Sequence, residues 1–306
     1  MKVAILIPCY NEAASIERVV CDCKAVLPNA DIYVYDNNST DETVLIAKSA
    51  GAIVRCESHQ GKGSVVRRMF ADVEADVYVM LDGDATYDMP SVPKMIDKLI
   101  DEQLDMVTGV RKTQEVEAYR LGHQFGNVLM TRVVHLFFGR RTADMLSGLR
   151  VFSRRFVKSF PASSKGFEIE TELTVFASSM RLPVADVDTP YYARPEGSVS
   201  KLSTFKDGWR ILKMIATLIK EERPLLFFGL LGTGLFLLSL ILAIPVLLTY
   251  FETGLVPRLP TALLSAAIAL IGGVSWAIGL ILDTVSNSRK ELRRMRYLAC
   301  MAPTKE

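Results

Sequence analysis

Two long uncharged apolar runs constrain this chain more than any other feature. Pro224 to Phe251 is 28 residues without Asp, Glu, Lys or Arg, and Leu259 to Leu282 is 24. At about 1.5 Å per helical residue, each exceeds a hydrocarbon core of roughly 30 Å. Only Glu252 to Arg258 lies between them, so the spacing predicts a transmembrane hairpin over 224–282 with both flanks on one side. Lys220 and Arg223 precede the first run, and Arg289, Lys290, Arg293, Arg294 and Arg296 follow the second. The positive-inside tendency then places both flanks, and with them both termini, in the cytosol.

The rest of the chain has a different composition. Residues 1–200 carry a net charge of −4 and residues 201–306 a net charge of +6. A mildly acidic body joined to a basic, apolar C-terminal third suits a membrane surface better than nucleic acid, because the basic residues flank apolar runs. The five cysteines, Cys9, Cys21, Cys23, Cys56 and Cys300, are odd in number and lack zinc-site spacing, so they read as reduced thiols. The apolar run after Met1-Lys2 is too short for a signal peptide, which points to a body that stays in the cytosol. Phe205, Trp209, Leu212, Ala216 and Ile219 fall on one helical face, with Lys206, Arg210, Lys213 and Lys220 beside it. That spacing predicts a basic amphipathic interface helix over 204–223. The expected order is a cytosolic body over 1–203, this helix, two spans over about 224–251 and 259–282, and a basic tail over 283–306.

The body alternates short β-branched runs with helical spacing. Strands are expected at Val3 to Ile7, Ile32 to Tyr35, Ile53 to Cys56, Val77 to Leu81 and Met106 to Thr108, with helices at Ser15 to Val26, Thr43 to Ala50, Ser64 to Val73 and Val92 to Ile100. This is the pattern of an α/β doubly wound, mostly parallel sheet, whose ligands sit beyond the carboxyl ends of the strands. Polar clusters follow four of those strands: Pro8 to Glu12, Asp36 to Asp41, His59 to Gly63, and Asp82-Gly83-Asp84. Two carboxylates one residue apart are costly without a cation, and hard oxygen ligands favour Mg²⁺ or Mn²⁺ completed by substrate phosphates. Lys62 between two glycines adds a positive charge. The Gly frame of a Walker loop is missing, and the first turn has no glycine for a dinucleotide fingerprint.

VAILIPCYNE (Val3 to Glu12), DNNSTDET (Asp36 to Thr43), Gly61-Lys62-Gly63 and LDGD (Leu81 to Asp84) resemble the inverting family-2 glycosyltransferases of GT-A fold. DMLSGLRVF (Asp144 to Phe152) and RPEGSVSKL (Arg194 to Leu202) resemble the polyprenyl-phosphate branch, the dolichol-phosphate mannose and bactoprenol-phosphate glucosyl synthases. The resemblance spans residues 1 to about 210. It implies that Pro8, Tyr10, Glu12, Asp36, Lys62, Asp82 and Gly83 hold a nucleotide-sugar, and that Asp84 is the principal metal ligand with Asp82 beside it. It further implies that Arg111, Arg120, Ser147, Arg150, Arg194, Ser200 and Lys201 gather the lipid phosphate and the donor diphosphate, with Asp84, Arg150 and Lys201 closest to the chemistry. Many relatives have Gln where this chain has Thr86, so a third protein ligand stays unassigned. The Gln-x-x-Arg-Trp motif of processive relatives is absent from the sequence.

A lipid monophosphate acceptor is already anionic at neutral pH and needs little deprotonation. A lipid alcohol, such as diacylglycerol, would need a base, for which Glu168, Glu170 and Glu172 are the candidates, although a spacing of two keeps all three from sharing one helical face. The expected function is transfer of one sugar from a UDP- or GDP-hexose to polyprenyl phosphate at the cytosolic face of the cell's inner membrane. A lipid-alcohol acceptor is the alternative, and a non-catalytic scaffold with a residual nucleotide fold is the alternative of another class. His59, His123 and His135 lack metal-ligand spacing. Small residues at Gly229 and Thr233, and at Gly273 and Ala277, suit close helix packing within the hairpin or between subunits of a homo-oligomer.

Overall fold

The computed structural model describes residues 1–113, 143–166, 168–194, 213, 216–302 and 304. Arg120, Ser200 and Lys201 lie outside the described residues, as does most of the helix expected over 204–223. The chain divides into two units, 1–215 with 293–306, and 216–292.

The first unit runs β1 (Val3–Cys9), α1 (Ile16–Val26), β2 (Asp31–Asp36), α2 (Thr43–Ser49), β3 (Ile53–Cys56), α3 (Lys62–Asp72), β4 (Val77–Met80), α4 (Val92–Asp101) and β5 (Met106–Thr113). It continues with β6 (Arg150–Ser153), α5 (Arg154–Ser159), α6 (Ile169–Ser179) and β7 (Val184–Tyr191). The strands form one sheet in the order β3-β2-β1-β4-β6-β5-β7. All neighbours are parallel except β6, which runs antiparallel between β4 and β5. The five strands and four helices expected from periodicity are present. Both β6, four residues beginning with an arginine, and β7 escape that reading.

The two-residue repeat of the strands divides the core. Ile5 and Ile7 of β1 join Val34, Val79 and Val107 beneath α1 and α4, while Ala4 and Leu6 join Tyr35, Tyr78 and Met80 beneath α3, α5 and α6. Burial on both faces is why the central strands are apolar without a break. The second layer is rich in aromatics: Phe156 and Phe160 each meet Phe176 edge-on, at 5.3 Å between ring centres. Tyr297, from the C-terminal segment, packs on this layer, and its hydroxyl donates to the buried Asp105 carboxylate at 2.9 Å. The Arg155 guanidinium lies over the Tyr297 ring, 4.8 Å from its centre.

The second unit contains α7 (Pro224–Thr253) and most of α8 (Leu259–Leu298), both long and apolar enough to cross a membrane. The helix expected to stop at Leu282 continues to Leu298, because the charged stretch after it contains no helix breaker. Leu230, Ile241, Leu248, Leu270 and Ile281 are all well exposed, an apolar surface that water would penalise. The helices meet through small residues, one position away from the expected Gly273, which has nothing near it. Gly272 lies against the Gly232 backbone, and Trp276 packs over Gly229 and Gly232. Ser239 Oγ donates to the Ser265 carbonyl at 2.8 Å and Ser275 Oγ to the Phe228 carbonyl at 2.9 Å, satisfying hydroxyls inside the pair.

Candidate active site

The loops after β1, β2 and β4 and the loop before α3 converge at the carboxyl end of the sheet. Each turns through a residue with positive φ: Asn11 (52°), Asn38 (65°), Ala85 (57°) and Gly61 (125°). Asn tolerates this region and Gly occupies it freely, whereas Ala85 is strained and persists only because its neighbours are fixed. Side chains lace the first two loops together: Ser39 Oγ accepts from Asn11 N at 2.9 Å, Thr43 Oγ1 from Glu12 N at 2.8 Å, and Asn11 Oδ1 from Thr40 N at 2.8 Å. The DNNSTDET run is therefore largely scaffold.

These loops line a cavity of about 290 Å³ formed by Pro8, Cys9, Tyr10, Glu12, Asn37, Gln60, Gly61, Lys62, Val65, Asp82, Gly83, Asp84, Gly166 and Arg194. Eight residues expected from the sequence are thus brought together: Pro8, Tyr10, Glu12, Lys62, Asp82, Gly83, Asp84 and Arg194. Asp36 is not among them. It is buried, and its carboxylate accepts from Ser39 N, shaping the loop from behind. The next residue, Asn37, faces the cavity instead. Its Nδ2 donates to the Glu57 and His59 carbonyls, and its Oδ1 accepts from Gly61 N at 2.6 Å, so one side chain ties the loop after β2 to the loop between β3 and α3. Periodicity had no means to choose between adjacent polar residues.

Charge is concentrated on one wall. Lys62 Nζ lies 2.5 Å from both Asp82 Oδ1 and Glu170 Oε1. Burial works against its charge, but the two carboxylates overcome that and raise its pKa above the ordinary lysine value. Glu170, wholly enclosed, has its pKa raised by burial despite Lys62. Asp84 Oδ2 pairs with Arg194 at 2.7 Å, and Asp84 Oδ1 accepts from Thr86 Oγ1 at 2.6 Å. Burial first, and then the neighbouring Asp82, raise the Asp84 pKa. Thr86 therefore aligns the carboxylate next to it. Among the described residues no group of three His, Cys, Asp or Glu side chains gathers as a metal cage. Two carboxylates with the rest of the shell left to phosphate and water is the donor set Mg²⁺ or Mn²⁺ takes in phosphate-handling sites.

Glycine is needed where backbones press together. A Cβ at Gly63 would collide with the Ser164 carbonyl, and one at Gly61 with that of Lys165, so the 163–166 segment closes directly over the Gly-Lys-Gly turn. Gly148 leaves room for Asp82, whose Oδ2 would lie 2.5 Å from an added Cβ. Gly148→Ala is expected to displace Asp82 and lower transfer activity about tenfold or more with little change in melting temperature, measured by initial rates and calorimetry. Unchanged rates would show that this approach does not hold Asp82 in place.

Arg150, Ser147 and Arg111, also expected to gather phosphate, are not among the residues lining this cavity. Arg150 does not reach the cavity: it is wholly buried, donating to the carbonyls of Ser147 (3.0 Å), Met145 (2.6 Å) and Glu170 (3.1 Å) and to Thr174 Oγ1 (3.0 Å). Ser147 is also buried and donates to the Gly109 carbonyl at 2.6 Å. Arg111 forms a two-pronged pair with Asp144 at 2.6 and 2.8 Å and lies over the Tyr191 ring. An arginine in sequence looks the same whether it holds phosphate or the loop below it. The Glu candidates separate as well. Glu172 accepts from Ser163 N and Ser164 N, each at 2.8 Å, Glu168 accepts from Gly166 N at 3.2 Å, and Glu170 serves Lys62. His59 is exposed and bonded to Glu57.

The model of glycosyl transferase family 2 matches residues 4–160. Glycosyltransferase AglJ of Haloferax volcanii is 33% identical over 299 residues, 97% of this chain and 98% of that protein. A dolichyl-phosphate hexose transferase of the same organism is 29% identical over 220 residues, 72% of this chain and 95% of that protein. Glucosyl-3-phosphoglycerate synthase from Mycobacterium tuberculosis, solved with Mn²⁺, UDP and glucosyl-3-phosphoglycerate, superposes with a TM-score of 0.59 at 24% identity. The match covers 72% of this chain and 79% of that one, a likeness of fold.

Proposed function

The chain belongs to glycosyl transferase family 2, and from that premise we propose that it moves one hexose from a UDP- or GDP-sugar to polyprenyl phosphate at the cytosolic face of the membrane, with inversion to a β-linked product. The observation that carries this reading is the single cavity in which Asp82 and Asp84 meet Lys62 and Arg194. Pro8, Tyr10 and Glu12 offer an apolar and aromatic wall with one acceptor for a nucleoside. Lys62 and Arg194 are cations for the phosphates. Asp82 and Asp84 would hold Mg²⁺ or Mn²⁺, which supplies charge stabilisation to the departing nucleoside diphosphate.

The acceptor assignment rests on what the acidic residues are doing. An alcohol would need a base, yet Glu168, Glu170 and Glu172 are each engaged by a backbone N–H or by Lys62. A phosphate monoester brings its own anionic oxygen, and positioning becomes the main demand. The two apolar helices support a lipid acceptor, as does the dolichyl-phosphate relative. Purified full-length protein incubated with polyprenyl phosphate and a panel of radiolabelled UDP- and GDP-sugars is expected to give a butanol-extractable product with one of them. Equal turnover on dephosphorylated polyprenol would promote the lipid-alcohol reading.

The hairpin should hold the protein against alkaline carbonate, and Cys56, exposed on β3, should react with an impermeant maleimide only after the membrane is opened. Carbonate extraction, or labelling of Cys56 in intact cells, would contradict this anchoring and orientation.

A further inference from the structure

Both carboxylates assigned to the cation already carry a cationic side chain of the protein itself: Lys62 on Asp82, and Arg194 on Asp84. A divalent ion and an ammonium group cannot share one carboxylate oxygen without strong repulsion in a partly desolvated cleft. The Lys62 ammonium has a second anchor in Glu170, whose other oxygen, Oε2, is buried and makes no hydrogen bond. An ammonium leaving Asp82 therefore has an acceptor waiting within the same carboxylate.

We propose that Lys62 and Arg194 are internal counter-ions that occupy Asp82 and Asp84 until the donor arrives, and that Glu170 is a positioning residue that retains the Lys62 ammonium beside the diphosphate once Asp82 turns to the cation. The proposal rests on the reading of the cavity as a nucleotide-sugar site. It makes the cation bind together with the nucleotide instead of ahead of it, and it gives Glu170 a role distinct from that of a base.

The test is Mn²⁺ binding to the purified full-length protein, read from the electron paramagnetic resonance signal of free Mn²⁺, alone and with UDP or GDP. In the unchanged protein one nucleotide should tighten Mn²⁺ binding by about tenfold or more. Arg194→Gln should bind Mn²⁺ alone about three- to tenfold more tightly and lose most of the nucleotide enhancement. The double variant Lys62→Met/Glu170→Gln, which replaces a buried ion pair by neutral groups of similar size, should do the same. Glu170→Gln by itself, which removes the carboxylate that draws Lys62 away from Asp82, should bind Mn²⁺ more weakly than the unchanged protein. Opposite signs at residues in contact are not what a general loss of structure produces. If the double variant fails to fold, Arg194→Gln decides. Mn²⁺ affinity that is unchanged or weaker in Arg194→Gln overturns the counter-ion role while nucleotide enhancement in the unchanged protein leaves the donor reading intact. Absence of enhancement by either nucleotide overturns both.

Discussion

Asp84→Asn is expected to lose transfer activity by about a hundredfold or more and to melt no earlier than the unchanged protein. The loss follows from removing a hard oxygen ligand where charge develops on the departing diphosphate, an effect of about 3 kcal/mol or more. The retained stability follows from burial. Asp84 is 3% exposed, and burial together with Asp82 raises its pKa, so the fold disfavours its charged form. A carboxyl with a raised pKa in the fold contributes stability below its unfolded pKa, and that contribution is lost as pH rises through the folded value. At neutral pH, Asn therefore removes a charge the fold does not favour and keeps a carbonyl for the Thr86 hydroxyl. Initial rates in excess Mn²⁺, with calorimetric melting alongside, check both halves. Chelation by EDTA should silence the unchanged protein and added Mg²⁺ or Mn²⁺ restore it; full activity in excess chelator would remove this role.

The second large effect has the opposite character. Arg150→Ala should cost of order 3–5 kcal/mol of stability, enough to leave the first unit poorly folded. The side chain is wholly buried and satisfies the carbonyls of Met145, Ser147 and Glu170 together with Thr174. Its removal opens a cavity the size of a guanidinium and strands those acceptors away from water. Burial also lowers the pKa of the group itself. Arg150→Lys should recover only part of the stability, since a single ammonium cannot reach donors arranged for a planar fork. Normal melting with selective loss of polyprenyl-phosphate use would instead restore Arg150 to the acceptor site.

The two long apolar helices and the alternating body are legible in the sequence because each rests on local regularity. Twenty-eight uncharged residues need no partner to identify them, and buried parallel strands announce themselves as β-branched runs at regular spacing. The site was legible in outline for a related reason: in a doubly wound sheet, the residues after each strand end at the same edge, so Pro8, Lys62, Asp82 and Asp84 could be placed together from order alone. Tertiary structure decided what local pattern does not encode. Asp36 and Asn37 are adjacent and polar, and only the folded turn at the end of β2 puts one behind the loop, on Ser39 N, and the other into the cavity. Arg150 and Arg194 carry the same guanidinium, yet one lies within an antiparallel strand that periodicity did not reveal and the other reaches Asp84. Glu170 became a partner of Lys62 because α6 brings it across more than a hundred residues of chain. Sequence reports which groups are present and which way a strand points; packing alone decides which of them face water, substrate or one another.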